Sequence, residues 1–253
     1  LGVGLILPFL IILLSDLFNT KLETIEEVSK LSKIPTLDGI IHSNYKNSLP
    51  VFNNPHSGIA ESFRVLKVNL KNTLNSSDKK VISVNSLVPG EGKSFISSNL
   101  ASILSLGANE KKVLLIEGDL RKPMLNGTFG TNNGIGLCTY LDYRNNFDEI
   151  VLKTSYENLF FVPAGEMSPN PTELLENGRF AHFIEEARKR FDYIILDNAP
   201  VSLVPDGLMT SKHADANIFI LRLNYSRKKE VREINKTIEV NGIKNAIIVI
   251  NDA

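Results

Sequence analysis

The residues best suited to chemistry lie in one run, Val81-Ile-Ser-Val-Asn-Ser-Leu-Val-Pro-Gly-Glu-Gly-Lys-Ser-Phe95. Entered through Pro89-Gly90-Glu91-Gly92, the Gly-Lys-Ser triplet offers closely spaced backbone N–H groups, one ammonium (Lys93) and one hydroxyl (Ser94). That set suits a polyphosphate. The amides and the positive end of a following helix hold the anion, Lys93 bridges its outer oxygens, and the Ser94 hydroxyl ligates Mg²⁺. The general pattern G-x-x-x-x-G-K-[ST] has a glycine where this chain has Leu87.

Such a loop works only between a strand and a helix. Val81, Ile82 and Val84 are β-branched and apolar, as in a buried strand, and Ile96, Leu100 and Leu104 share one face of a helix. Two further apolar runs bring carboxylates to the same level. Val113 to Ile116 ends in Glu117-Gly-Asp119-Leu-Arg121, and Tyr193 to Leu196 ends in Asp197. In open parallel sheets ligands bind at the carboxyl ends of the strands. An aspartate placed like Asp197 holds Mg²⁺ in nucleotidases. Arg121 has two readings of equal weight, a partner for Asp119 or phosphate and a surface salt bridge.

The remaining elements alternate. Helices are expected from about 58 to 74, where Ile59, Phe63, Leu66 and Leu70 recur at helical spacing, at 136–142, 147–153 and 180–190, and at about 227–240. A further helix opens at Pro171. Strands are expected at Leu159–Val162, Ala216–Leu223 and Ala246–Asn251, and a mobile loop at 126–136. Strands alternating with helices predict an α/β fold with a doubly wound, mostly parallel sheet.

Composition narrows the class. The chain has 253 residues, 43% hydrophobic, with Lys plus Arg and Asp plus Glu at 28 each. The balanced charge gives no basic field for nucleic acid. Cys138 is the only cysteine, which excludes an intrachain disulfide and a cysteine zinc site. Leu1 to Leu14 is uncharged. Fourteen helical residues span roughly 21 Å of a ~30 Å hydrocarbon core, so residues 1–15 are expected to be the C-terminal part of a transmembrane helix. Residues 16–57 are read as a juxtamembrane segment and linker. They include a helix capped by Thr24 and Glu27, an extended piece at Gly39–Ile41, and the Asn-rich stretch 44–57. Residues 58–253 are expected to form the domain that carries the phosphate-binding loop.

Pro89-Gly90-Glu91-Gly92-Lys93-Ser94, Glu117-Gly-Asp119-Leu-Arg121-Lys-Pro123, Pro169-Asn-Pro-Thr-Glu-Leu-Leu175, Phe191-Asp-Tyr-Ile-Ile-Leu-Asp197 and the stretch Pro200–Asp206 together resemble the bacterial tyrosine kinases (BY-kinases) of polysaccharide co-polymerases. They look like the Walker A, A′ and B motifs of a P-loop fold and the segments between them. In that family the loop lacks the first glycine, which accounts for Leu87. The resemblance implies ATP-dependent tyrosine autophosphorylation with Mg²⁺, regulating exopolysaccharide or capsule synthesis and export. It implies a kinase domain in the cytoplasm at the inner membrane, with the polysaccharide machinery and a protein-tyrosine phosphatase as partners. Residues Pro89 to Phe95 would hold the nucleotide, and Asn251 would read its base. Lys93, Glu117, Asp119 and Asp197 would be catalytic, and Ser94, Glu117, Asp119 and Asp197 would serve the metal. The two A′ acids divide metal binding and tyrosine orientation between them, unassigned by the sequence.

Glu61, Arg64 and Lys67 stand where the family packs ring neighbours with a Glu-x-x-Arg-x-x-Arg helix, so they are expected to join subunits of a homo-oligomeric ring. The family's A′ motif has aspartate at position 117. The longer arm of Glu117 moves its oxygens by about 1.5 Å, which is expected to slow catalysis. The alternatives are a nucleotide-binding scaffold with little catalysis and a membrane ATPase of the MinD/ParA kind. The latter carry a second lysine where this chain has Val88.

Overall fold

The computed structural model describes residues 19–43, 48–73, 80–107, 111–131 and 134–252. The expected transmembrane segment 1–15 and residues 44–47 of the expected linker lie outside the described residues. Among those described, no helix is long and apolar enough to cross a membrane.

The apolar runs become strands β1 (Thr36–Ile40), β2 (Lys80–Ser86), β3 (Val113–Gly118), β4 (Leu152–Lys153), β5 (Leu159–Val162), β6 (Tyr193–Asn198), β7 (Ala216–Arg222) and β8 (Ala246–Asn251). They form one sheet of order β1-β8-β7-β2-β6-β3-β5-β4. Every pairing is parallel except that of β4 with β5. The helices are α1 (Ile25–Leu31), α2 (Pro50–Asn53), α3 (Gly58–Thr73), α4 (Lys93–Ser105), α5 (Asn126–Phe129), α6 (Leu137–Leu141), α7 (Phe147–Ile150), α8 (Pro171–Glu176), α9 (Arg179–Arg190), α10 (Asp206–Ser211) and α11 (Lys228–Asn241).

Successive side chains of a strand point to opposite faces, and both faces of this sheet are covered. Ile82, Val84, Leu115 and Ile195 pack against Phe63 and Leu66 of α3 and Ile96 and Leu100 of α4. Val81, Leu114, Ile116 and Ile194 pack on the other face against Phe180, Phe183 and Ala187 of α9. Phe219, Leu221 and Ile248 meet α1 and α11 through Val28, Val231 and Ile234. The doubly wound sheet follows the alternation read from the sequence.

Several expectations change. The helix expected at 147–153 ends at Ile150, and Leu152–Lys153 pairs with β5 as β4. The described part of segment 16–57 is not separate from the domain. Leu22, Val28, Ile40 and Val51 are fully buried, and β1 pairs with β8, so the core does not stop at residue 58. The reason is that β8 would otherwise end the sheet as an open edge, and the extended Thr36–Ile40 piece closes it. Within 126–136, expected to be a mobile loop, Asn126–Phe129 forms the short helix α5, with Phe129 stacked on Phe161 at 4.8 Å between ring centroids. Residues 132–133 of that stretch lie outside the described residues. The α1 cap holds, with Glu27 N donating to Thr24 Oγ1 at 3.2 Å. The Glu27 carboxylate returns to Glu23 N rather than to the cap residue.

Candidate active site

β2 and α4 are joined by the phosphate-binding loop, and its shape comes from glycines and one buried acid. Gly90 and Gly92 have φ of 89° and 94°, where side chains are strained. A Cβ on Gly92 would also lie 2.1 Å from Asn251 Nδ2. Glu91 is fully buried beneath the loop. Leu87 N and Val88 N donate to its Oε2 at 2.8 and 3.0 Å, and Ser226 Oγ donates to Oε1. Leu87, in place of glycine, drives its side chain into the core beside Phe219 and Ile250 while Glu91 takes its N–H. Asn251 Nδ2 donates to Glu91 O at 3.0 Å. The asparagine expected to read the base thus supports the loop from β8.

A cleft of about 480 Å³ opens at the carboxyl ends of the strands. Pro89, Gly90, Glu91, Gly92, Lys93, Ser94 and Phe95 line one side. Asp119, Arg121, Lys122 and Met124 line another, and Ala199, Pro200, Leu203 and Val204 complete an apolar rim. Lys93 Nζ donates to Asp197 Oδ1 at 3.0 Å, and Ser97 Oγ donates to the same oxygen at 2.9 Å. The loop, Lys93, Ser94 and Asp119 are therefore brought together as expected, with Asp197 directly below Lys93.

Glu117, expected to serve the metal or the acceptor tyrosine, lies on β3 next to Asp197 of β6. It is fully buried, and its Oε1 accepts from Met124 N and from Leu125 N, the latter at 2.7 Å. The extra methylene of glutamate carries one carboxylate oxygen to the backbone of the next loop, and Glu117, like Asp197, lies beneath the cleft wall. Burial pushes its pKa up to about 7, the N–H of Leu125 opposes that, and the neighbouring Asp197 adds to the rise. Glu117 and Asp197 face each other across β3 and β6. Glu117 Oε2 and Asp197 Oδ2 are buried without a hydrogen-bond partner.

Those two orphaned oxygens test the Mg²⁺ expectation. Asp197 has one oxygen unpartnered and the other on Lys93 Nζ, whose ammonium is 3.5 Å from Ser94 Oγ. That set fits a hard cation, which favours oxygen ligands, and the unpartnered Glu117 oxygen lies on the neighbouring strand. Among the described residues no three His, Cys, Asp or Glu side chains cluster to hold a metal alone. A site of one or two carboxylates completed by phosphate oxygens matches Mg²⁺ better than an all-protein cage.

Several site residues were not legible in the sequence. Arg121 Nε donates to Asp206 Oδ2 at 2.8 Å, and Thr172 Oγ1 donates to Asp206 Oδ1 at 2.7 Å. This network explains why the Pro171-Thr172 and Pro205-Asp206 segments accompany the A′ motif: they hold Arg121 beside the cleft. On the outer side of the loop, Tyr225 Oη donates to Pro89 O at 2.8 Å and Arg222 Nη1 donates to Gly90 O at 3.2 Å. No spacing in the sequence connects residues so far apart in the chain.

The family described as AAA domain matches residues 79–247. A tyrosine-protein kinase, CpsD, of Streptococcus pneumoniae is 37% identical over 183 residues, covering 72% of this chain and 79% of that protein. The tyrosine-protein kinase wzc of Salmonella typhimurium is 30% identical over 98% of this chain, which spans 36% of the length of that relative. Among solved structures, the chimerical protein CapA2B2 superposes with a TM-score of 0.83 at 30% identity, covering 91% of this chain and 99% of that one. The septum site-determining protein MinD of Pyrococcus horikoshii shares the fold at a TM-score of 0.55, 22% identity, 67% of this chain and 68% of its own. The MinD-type alternative is thus a distant relation of fold, and the chain belongs to the bacterial tyrosine-protein kinase family.

Proposed function

We propose that the chain is the catalytic domain of an ATP-dependent protein-tyrosine autokinase. The observation that carries this reading is Lys93 at 3.0 Å from Asp197 beneath the glycine loop, with a carboxylate oxygen of Asp197 unpartnered. Phosphoryl transfer proceeds through a loose, highly charged transition state, so positioning and cationic stabilisation dominate. Lys93 and the amides of Gly90 to Ser94 hold the β- and γ-phosphates of ATP. Ser94 and Asp197 would hold Mg²⁺, which when bound neutralises charge on those phosphates. Asp119 faces the cleft, while Glu117 is buried beside Asp197 with Met124 N and Leu125 N on one oxygen. Asp119 therefore orients the acceptor tyrosine and takes its proton as the hydroxyl attacks the γ-phosphorus and ADP departs. Arg121, held by Asp206 and Thr172, adds positive charge at the wall.

The test joins calorimetry with intact mass. Wild type is expected to bind ATP in a Mg²⁺-dependent manner and to gain phosphate, and Lys93→Met to bind at least tenfold more weakly and gain none. Equal binding by both overturns the site. Binding without phosphate gain replaces the kinase by the nucleotide-binding scaffold.

We further infer the setting from the motif resemblance. The domain acts in the cytoplasm at the inner membrane and is joined to it by the segment 1–15. It regulates exopolysaccharide or capsule synthesis and export with the polysaccharide machinery, and its phosphate is removed by a protein-tyrosine phosphatase. It assembles as a homo-oligomeric ring through α3, where Glu61 and Arg64 pair at 2.8 Å on an exposed face.

A further inference from the structure

Five tyrosines lie among the described residues. Tyr140 and Tyr193 are buried, and Tyr156 stacks on Phe52 at 3.8 Å between ring centroids. Tyr143 and Tyr225 are exposed, at 69% and 45%. Of these two, only Tyr225 touches the phosphate-binding loop. It sits on the turn between β7 and α11, with its Oη 2.8 Å from Pro89 O, and a Cβ on Gly90 would fall 2.6 Å from that hydroxyl. Arg222 lies 5.5 Å from the ring centroid, donates to Gly90 O, and also pairs with Asp252 at 2.5 Å. Tyr225 and Arg222 therefore hold two consecutive carbonyls of the loop from outside, while the nucleotide amides face inward. Tyr225 does not line the cleft.

We propose that Tyr225 is itself a phosphorylation site, modified by a second copy of this chain, and that its phosphate releases the loop and weakens nucleotide binding. The proposal rests on the kinase reading above. In the step, Tyr225 Oη attacks the γ-phosphorus of ATP held by the other copy. The Oη–P bond forms and the bond from that phosphorus to the β-phosphate oxygen breaks. ADP leaves, and the phenolic proton passes to the acceptor-facing carboxylate of the donor copy and on to water. The ether oxygen that remains has no proton for Pro89 O. The phosphate brings about −1.5 to −2 charges next to two carbonyl oxygens. Arg222 is the adjacent cation, and a guanidinium binds phosphate in bidentate fashion more strongly than it binds a single carbonyl. Both braces are lost together, and the amides that must converge on the polyphosphate are no longer held in register.

Two measurements test this. In the first, wild type is mixed with Lys93→Met protein and ATP-Mg²⁺, and phosphotyrosines on the Lys93→Met copies are mapped by tandem mass spectrometry. Phosphate at Tyr225 of those copies is expected. In the second, phosphotyrosine is placed at 225 by codon suppression in an otherwise wild-type chain, and ADP-Mg²⁺ binding is titrated before and after phosphatase treatment. An affinity at least tenfold weaker, restored by the phosphatase, is expected. Phosphate at Tyr143 but none at Tyr225 overturns the site while sparing the kinase reading. No phosphotyrosine at all overturns both. Equal affinity with and without the phosphate overturns the release mechanism.

Discussion

Glu91 turns its carboxylate away from the cleft and into the underside of the loop, where two N–H groups and one hydroxyl reach it. Burial raises its pKa from 4.5 to about 7, opposed by the Ser226 hydroxyl and the N–H groups of Val88 and Leu87, with Glu230 adding to the rise. The sign follows from proton counting. Between pH 4.5 and about 7 the folded chain holds a proton at Glu91 that the unfolded chain has lost, so stability falls as pH rises through that window. Glutamine keeps an acceptor for Leu87 and Val88 and never ionises. Glu91→Gln is therefore expected to match wild type near pH 4.5 and to exceed it at pH 8 by on the order of 1–3 kcal/mol. Urea denaturation across that range measures it, and a wild type that gains on the variant with rising pH would reject the buried-acid account. Glu117 is buried in the same way. Its charge and its place at a strand end were legible, but its target was not. Whether a carboxylate turns into a cleft or back to Met124 and Leu125 depends on the path of the next loop, which no local pattern specifies.

The helices α3 and α4 show how two cations on one face of a helix can part ways. Arg64 stays on the surface, donating to Glu61 Oε2 and to Pro55 O. Lys67, expected beside it at a subunit contact, turns inward. Its Nζ donates to Ile103 O at 2.7 Å and Leu106 O at 2.9 Å, carbonyls at the C-terminal end of the helix whose N-terminus is the phosphate loop. A cation is favoured there by the helix dipole and the unpaired carbonyls. Lys67→Ala is expected to lower stability by about 1–2 kcal/mol, read by denaturation. Arg64→Glu, on an exposed pair, is expected to cost under about 1 kcal/mol and to abolish assembly in native mass spectrometry. Equal stability losses would refute the division of roles, and an unchanged oligomer in Arg64→Glu would refute the interface. The i, i+3 spacing showed that the three charges share a face, but not that the end of α4 lies within reach of the third. Long periodic helices such as α3 and α9 were legible because burial on one face imposes their pattern, and β6 because it is a continuous apolar run. The six-residue α10, with Pro205 before it and Gly207 inside it, was not.

At the scale of the whole molecule, the segment carrying α1 and β1 is a working part of the nucleotide site's support. Leu22 N donates to Ser226 O and Asn224 N donates to Leu22 O, both at 2.8 Å, so the turn bearing Tyr225 and the Glu91 partner Ser226 is clamped by this segment. Its charge-mixed, short-element sequence resembles a tether, because the contacts that order it come from β8 and α11, some two hundred residues later. The alternation of strands and helices was sufficient to read the doubly wound sheet; the closing edge strand was visible only as an extended piece without a partner. Removing residues up to 43 would expose the edge of β8 and the surfaces that bury Leu22, Val28 and Ile40. Each fully buried aliphatic side chain contributes about 1.5–3 kcal/mol, so the loss approaches the roughly 5–15 kcal/mol by which domains are stable. A chain beginning at 44 is therefore expected to unfold at much lower urea concentration than one beginning at 19. Its residual folded fraction should bind ADP-Mg²⁺ more weakly, since the Ser226 turn is released. Matching denaturation midpoints for the two chains would show that α1 and β1 are a tether after all. A lowered midpoint with unchanged affinity at full folding would separate the edge strand's part in stability from any part in holding the loop.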